Sequence, residues 1–284
     1  MKLWLILGIL SYVSYAISTS IDKFMMKLGI GVYKANTLKS LFDGTILLII
    51  GFLFFSLNFN KQLLIGALIL GIIYAVSSII YFSSLKLKDV SIVMPYSQAA
   101  QILLIFIASL LLFKESANIN NYVGVILIII GIYAVLSEKF KLPKIDKGLI
   151  LISLMIIFHV IYFLLVKFLV FDVDPLSLGV TQYYAGTIIL FIYLFFFRKK
   201  DFKSLFRINA DIPKIGAAAL FGALGTFLLF TALSIGDASK VYPIAGVQLV
   251  FIFIIASIFL KEKFYWHRLI GTTIVFLGIY LISI

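Results

Sequence analysis

Two stretches, GVILIIIGIY at residues 124–133 and GTTIVFLGIY at residues 271–280, are variants of one segment written twice. Gly124, Gly131, Ile132 and Tyr133 return 147 positions later as Gly271, Gly278, Ile279 and Tyr280. A Lys-Glu pair precedes each copy at the same spacing, as Lys114-Glu115 and Lys261-Glu262. Landmarks in a fixed order point to duplication of a module, since greasy composition multiplies apolar matches but not ordered Gly, Pro and Lys-Glu positions. Further out, Asp89 and Pro95 match Asp237 and Pro243 at an offset of 148, and Gly44-Thr45-Ile46 matches Gly186-Thr187-Ile188 at 142. The halves run over 1–140 and 141–284, joined by the charged segment that contains Pro143.

With 63% hydrophobic and 13% charged residues and a mean hydropathy of +1.17, the chain is far from a soluble domain, where about a quarter of residues are charged. A hydrocarbon layer about 30 Å thick needs roughly 20 apolar residues per helix. Ten such stretches are expected, at about 3–21, 35–57, 63–85, 91–113, 119–137, 148–170, 176–197, 214–235, 239–260 and 266–283. The apolar runs are continuous rather than alternating, so helices are expected and not barrel strands. The fold class is thus an all-α membrane protein. The first stretch follows Lys2 but lacks a convincing small-residue cleavage site, and reads as the first helix of the repeat rather than a signal peptide.

Five helices in each half is an odd number, so the second copy enters the membrane from the opposite side. Ten transmembrane helices as two inverted five-helix repeats are therefore expected. The net charge of +12 is placed unevenly: 19 of the 24 Lys and Arg fall at the ends of the odd-numbered helices, and 5 on the other side. By the positive-inside rule the crowded side is cytoplasmic, which puts both termini outside a cell membrane crossed many times. The basic runs Lys139 to Lys147 and Arg198 to Arg207 read as topology determinants against lipid headgroups, with no nucleic-acid partner.

The landmarks Pro95, Lys114-Glu115, Gly124 and Gly131, with Pro243, Lys261-Glu262, Gly271 and Gly278 in the second half, resemble those of the drug/metabolite transporter superfamily, in its ten-helix branch of two EamA domains. The likeness covers essentially the whole chain and is more specific for fold than for substrate. It implies alternating access around a central cavity lined by helices one, three, four, six, eight and nine, with helices five and ten as scaffold. The four-helix multidrug members carry a glutamate within helix one for proton and cation exchange. Ser11 to Ser20 holds no acid here, so that mechanism is not carried over.

Polar side chains within the spans fall on faces. On helix one Tyr12, Tyr15, Thr19, Asp22 and Lys23 share an arc of about 100° at helical spacing, and on helix three so do Tyr74, Ser77, Ser78, Tyr81 and Ser84. Gln98 and Gln101 on helix four, His159 and Tyr162 on helix six and Gln248 on helix nine add to them. Such groups lack partners in lipid and are expected to face the bundle. The candidate substrate-binding set is therefore Tyr12, Tyr15, Thr19, Tyr74, Ser78, Tyr81, Gln98, Gln101, His159, Tyr162 and Gln248, against the plainer reading of dry contacts between helices.

Lys23 and Lys167 align in helices one and six, and with Pro95 and Pro243 make a hinge or gating set; the plainer reading is that both lysines snorkel to the interface and that the prolines only start helices. Lys39 and Asp43, four apart on helix two, are expected to pair with each other. His159 is the candidate for proton coupling. Glycines seven apart advance about 700° and share a face suited to close helix packing.

No cysteine is present, and the two histidines, His159 and His267, lie far apart, so no catalytic residue, metal or cofactor is expected. The expected function is a secondary transporter of a small polar or amphipathic metabolite, an amino acid or related organic ion, by a monomer or homodimer in the lipid bilayer. The alternatives are a lipid-linked substrate flippase and a membrane-embedded lipid-modifying enzyme, the latter without paired acids or a His cluster to support it.

Overall fold

A helix that is apolar on every side has to be surrounded by other helices or by lipid. In the computed structural model, which describes residues 3–112, 118–136, 145–207, 209–236, 241–262 and 265–283, the long helices meet both conditions at once. The helices are α1 (Leu3–Lys27), α2 (Val32–Phe54), α3 (Lys61–Leu87), α4 (Val90–Leu112), α5 (Ile119–Leu136), α6 (Lys147–Leu169), α7 (Pro175–Phe197), the short α8 (Lys199–Leu205), α9 (Ile212–Ile235), α10 (Ala245–Ile258) and α11 (Trp266–Ser283). Among the described residues there is no strand. Eight helices are long and apolar enough to cross a membrane, and α10 and α11 are shorter apolar helices. The protein is a multi-pass membrane protein.

Its surface is the inverse of a soluble protein's. Phe52, Phe54, Phe197 and Trp266 are at least 70% exposed, while Ser11, Asp22, Asn36, Thr37, Ser40, Asp43 and Gln182 are at most 1% exposed. Exposed apolar area on this scale is stable only against lipid. Helix starts are fixed by polar caps. Asn60 accepts from the Leu63 amide at 2.8 Å, Asp146 from Leu149 at 3.0 Å, and Asp174, just before Pro175, from Ser177 at 2.6 Å. Each satisfies an amide that the helix cannot pair itself.

The two halves of the chain interlock. Helix α1 packs on α9, α3 on α6 and α7, α2 on α7 and α9, and α5 on α11. The α5–α11 seam is the closest. A Cβ on Gly131 would stand 2.8 Å from the Val275 amide nitrogen, and one on Gly278 2.8 Å from the Gly124 carbonyl oxygen. The repeated glycines let two backbones touch.

Several expectations change. The ninth span, expected over 239–260, contains a tight 3-10 turn, Tyr242–Ile244, followed by the α-helix Ala245–Ile258. Proline at 243 offers no backbone donor, and the regular helix begins only beyond it. Pro95, in contrast, lies inside α4. The basic run from Arg198 to Arg207 contains α8, whose Phe202 packs on Phe191 and Phe195 with ring centroids 5.9 and 5.4 Å away, while Arg198 stands 4.7 Å over the Tyr33 ring. Lys114-Glu115, Asp237, Lys240 and the joint with Pro143 lie outside the described residues.

Candidate functional site

The polar residues on α1 and α3 that share a helical arc turn inward and meet those of α4, α6 and α10. A cavity of about 210 Å³ lies between them. One water needs about 10–15 Å³ on this measure, so the space suits a small solute rather than a single trapped water.

Each of the substrate-binding candidates lines this cavity: Tyr12, Tyr15 and Thr19 from α1, Tyr74, Ser78 and Tyr81 from α3, and Gln98 and Gln101 from α4. His159 and Tyr162 of α6 and Gln248 of α10 complete the set. Ser84, on the same arc of α3, bonds back to the Tyr81 carbonyl at 2.7 Å and is not among the lining residues.

The walls are held by bonds that cross between helices. Tyr15 and Tyr183 both bond the Thr226 hydroxyl, at 2.9 and 2.6 Å. The Gln98 amide donates to the Gln248 carbonyl oxygen, joining α4 to α10. Gln101 and His159 Nδ1 are 3.1 Å apart, and Tyr162 donates to Gln182 at 2.8 Å. Gln98 Oε1 and Gln182 Nε2 have no protein partner despite their burial. Gln98 lines the cavity, so its open oxygen is available to a guest, because a buried group without a partner costs about 1–3 kcal/mol. The ring edges of Tyr74 and Tyr183 meet at 5.2 Å and shape the aromatic part of the wall.

Sequence reasoning put Asp22 on the inward arc of α1 but left Lys39 and Asp43 out of the site. Asp22 of α1 and Lys39 and Asp43 of α2 all line the cavity, and both aspartates are 1% exposed. Lys39 does not make the expected ion pair with Asp43, one turn along its own helix. Its ammonium bonds Asp22 Oδ2 at 2.7 Å across to α1, and Tyr81 donates to the same oxygen at 3.1 Å. The residue pair had been explained within one helix, which hid its reach into the cavity. Tyr183, Thr226 and Tyr242 also line the cavity and were missed.

Lys23 and Lys167 do not snorkel into lipid headgroups. Lys23 donates to the carbonyls of Leu85 and Lys88 at 2.8 and 2.5 Å, at the C-terminal end of α3. Lys167 does the same to Leu233 and Gly236, at 3.0 and 2.8 Å, at the C-terminal end of α9. A cation there satisfies carbonyls the helix leaves open and complements its dipole.

The end of the bundle that holds Lys23 is also tied by other groups. Glu262 accepts from the amides of Val90 and Ser91 at 3.0 and 3.3 Å, which caps α4 with a residue from the other half. Arg268 pairs with Asp89 at 2.9 Å, and Lys27 donates to the Leu260 carbonyl at 2.6 Å. The Lys88 ammonium beside Asp146 holds that exposed carboxyl below the usual carboxylate range. The second copy of the Lys-Glu landmark is thus a clamp on the first half. Among the described residues no cluster of His, Asp or Glu could hold a metal ion.

A lipid-facing bundle that surrounds a solute-sized polar cavity defines a membrane protein of the transporter class. The chain belongs to the EamA-like transporter family, which matches residues 2–137 and 146–284. It is similar to an uncharacterized transporter of Archaeoglobus fulgidus, 23% identical over 211 residues that cover 74% of this chain and 72% of the relative. A second uncharacterized transporter of that organism is 25% identical over 142 residues, 48% of each chain. A solved crystal structure shares the fold with a TM-score of 0.71, covering 99% of this chain and 95% of that one at 13% identity.

Proposed function

We propose that the protein is a secondary transporter that moves a small polar or amphipathic metabolite, an amino acid or related organic ion, by alternating access. The observation that carries this reading is the cavity walled by polar side chains of both halves, with Gln98 and Gln248 meeting across it. In this reading residues 1–140 and 141–284 are inverted repeats, and both termini lie outside the cell membrane. The walls replace the solute's hydration, with the eleven lining candidates as the binding set and no catalytic step. His159 is engaged with Gln101, so a coupling role for it requires that this bond open when the carrier turns over.

Lys23 and Lys167 act as matched tethers at opposite ends of the bundle. Each bonds the end of the third long helix of its own half, next to the connection into the fourth span. Charge-assisted bonds of this kind are worth about 1.5–3 kcal/mol each, enough to bias a two-state carrier strongly. Lys23→Met and Lys167→Met are expected to slow transport about tenfold while leaving solute affinity within about twofold. They are also expected to shift access in opposite directions. Because the chain has no cysteine, Ser97→Cys in the cavity wall is a clean reporter for an impermeant maleimide added from one side of proteoliposomes. Equal shifts in the same direction would refute the tether pair.

The transporter reading itself is tested by uptake and counterflow in proteoliposomes. The panel holds amino acids, sugar phosphates and quaternary amines, with and without a pH gradient. Saturable counterflow of at least one solute is expected. Turnover of a lipid substrate with no solute moved would overturn the reading.

A further inference from the structure

Asp22, Lys39 and Asp43 bring two carboxylates and one ammonium to the cavity wall, a formal excess of one negative charge. The excess is local. Lys39 and Tyr81 both donate to Asp22 Oδ2, and Asp22 Oδ1 and Asp43 Oδ1 are buried with no partner. Ser18, beside Asp43, turns its hydroxyl to the Ala218 carbonyl at 2.8 Å and gives the carboxylate nothing. Gly222 of α9 lies so close that an added Cβ would sit 2.8 Å from Asp43 Oδ1, so that face presents backbone instead of a countercharge.

Among the described residues that line the cavity, other elements supply no second Lys or Arg. Facing the pair are Tyr15 from α1, Tyr74 and Tyr81 from α3, Tyr162 from α6, Tyr183 from α7, and the neutral Thr226 from α9. Lys23, the next nearest ammonium on α1, is bound to carbonyls at the end of α3. An uncompensated carboxylate in a bilayer costs several kcal/mol. A positively charged guest is what the wall lacks.

We infer that Asp43, with Asp22 held by Lys39 beside it, is the recognition site for the ammonium group of an organic cation, and that a proton fills this place when the carrier is empty. The inference rests on the transporter reading and names the substrate class of that cavity. The aromatic side chains around it fit the class, because tyrosine faces attract cations and cover an apolar body. The exchange balances in charge and atoms. As R–NH3+ arrives, the Asp43 carboxyl O–H breaks, its proton leaves to cavity water, and the carboxylate accepts an N–H from the ammonium. The wall is neutral before the exchange, and the wall together with its guest is neutral after it.

The test uses the purified full-length chain in detergent and three probes of similar size: phenethylammonium, phenethyl alcohol and phenylacetate. Calorimetric titration is expected to show the ammonium binding about tenfold or more tighter than the neutral and anionic probes. In weak buffer, close to one proton should leave per ammonium bound. Affinity should fall about tenfold per pH unit once the proton outcompetes the probe. Asp43→Asn is expected to abolish both the charge preference and the proton release, and Asp43→Glu to retain them.

Probes that bind within threefold of one another, or ammonium binding with no proton release between about pH 5 and 9, would overturn the site. So would no measurable binding of phenethylammonium. These readings come from the wild type and do not depend on how a variant folds. Counterflow separates the two claims. Neutral solutes that move without preference for ammonium leave transport standing and remove the site, whereas ammonium binding with proton release but no counterflow of any solute keeps the site and removes transport.

Discussion

Lys39→Met is expected to be among the most damaging single changes in the molecule. It leaves Asp22, 1% exposed, as a carboxylate with no cation beside it. Removing one member of a buried pair costs about 3–5 kcal/mol, chiefly because the remaining charge has nowhere to go. Thermal unfolding in detergent measures this directly. The double variant Lys39→Met with Asp22→Asn should recover most of the loss, since it removes the stranded charge together with its partner and leaves Asp43 as it is in the wild type. A double variant as unstable as the single one would show that Lys39 matters for packing against Phe82, 5.9 Å from its ammonium, and not for charge.

The second large effect belongs to the α5–α11 seam. Gly271→Ala is expected to lose about 1–3 kcal/mol, and Gly271→Leu to prevent a stable fold. The methyl of the first would meet the Val135 amide nitrogen at 2.7 Å and the Gly131 carbonyl oxygen at 2.9 Å. These are backbone atoms on the partner helix, so relief requires the helices to part. Gly216→Ala on α9 is the control. Nothing lies within 4 Å of its added Cβ, and the better helix propensity of alanine, about 1 kcal/mol, should leave it neutral or slightly stabilised. Thermal midpoints of the pair, measured side by side, separate close approach from a general intolerance of glycine replacement.

What could be read from the letters, and what could not, follows from range. Helical faces are local, so Tyr12, Tyr15 and Thr19 announce an inward face of α1 through spacing alone, as Tyr74, Ser78 and Tyr81 do for α3. The glycine repeat announces a close contact in the same way. Which side chain bonds which is a matter of tertiary geometry. Lys39 had a carboxylate one turn away on its own helix, and spacing favoured that partner over Asp22 on another helix. Lys23 and Lys167 were visible as an aligned pair, but carbonyls at helix ends carry no side-chain signature, so their bonds to Leu85 and Leu233 were hidden. Glu262 was legible as a landmark and not as the cap of α4, which it reaches across 172 positions of chain. Charges inside apolar spans were the readable hint of a site, and the local pairing rule explained two of them away.

The glycine seam also has a consequence for the birth of the protein. The close partner of α5 is α11, and the matching glycines are separated by a full repeat of synthesis. At about 5–20 residues per second, α5 leaves the ribosome roughly 7–30 seconds before the helix that covers its glycine face exists. Five further α-helices, α6 to α10, enter the growing structure in that interval. Until then the exposed stripe of backbone is covered only by lipid or by an assembly factor of the membrane. Helix α11 is therefore the keystone: it closes a contact that has stood open through a full repeat of synthesis, and a nascent chain stalled before residue 266 would be left with that face bare.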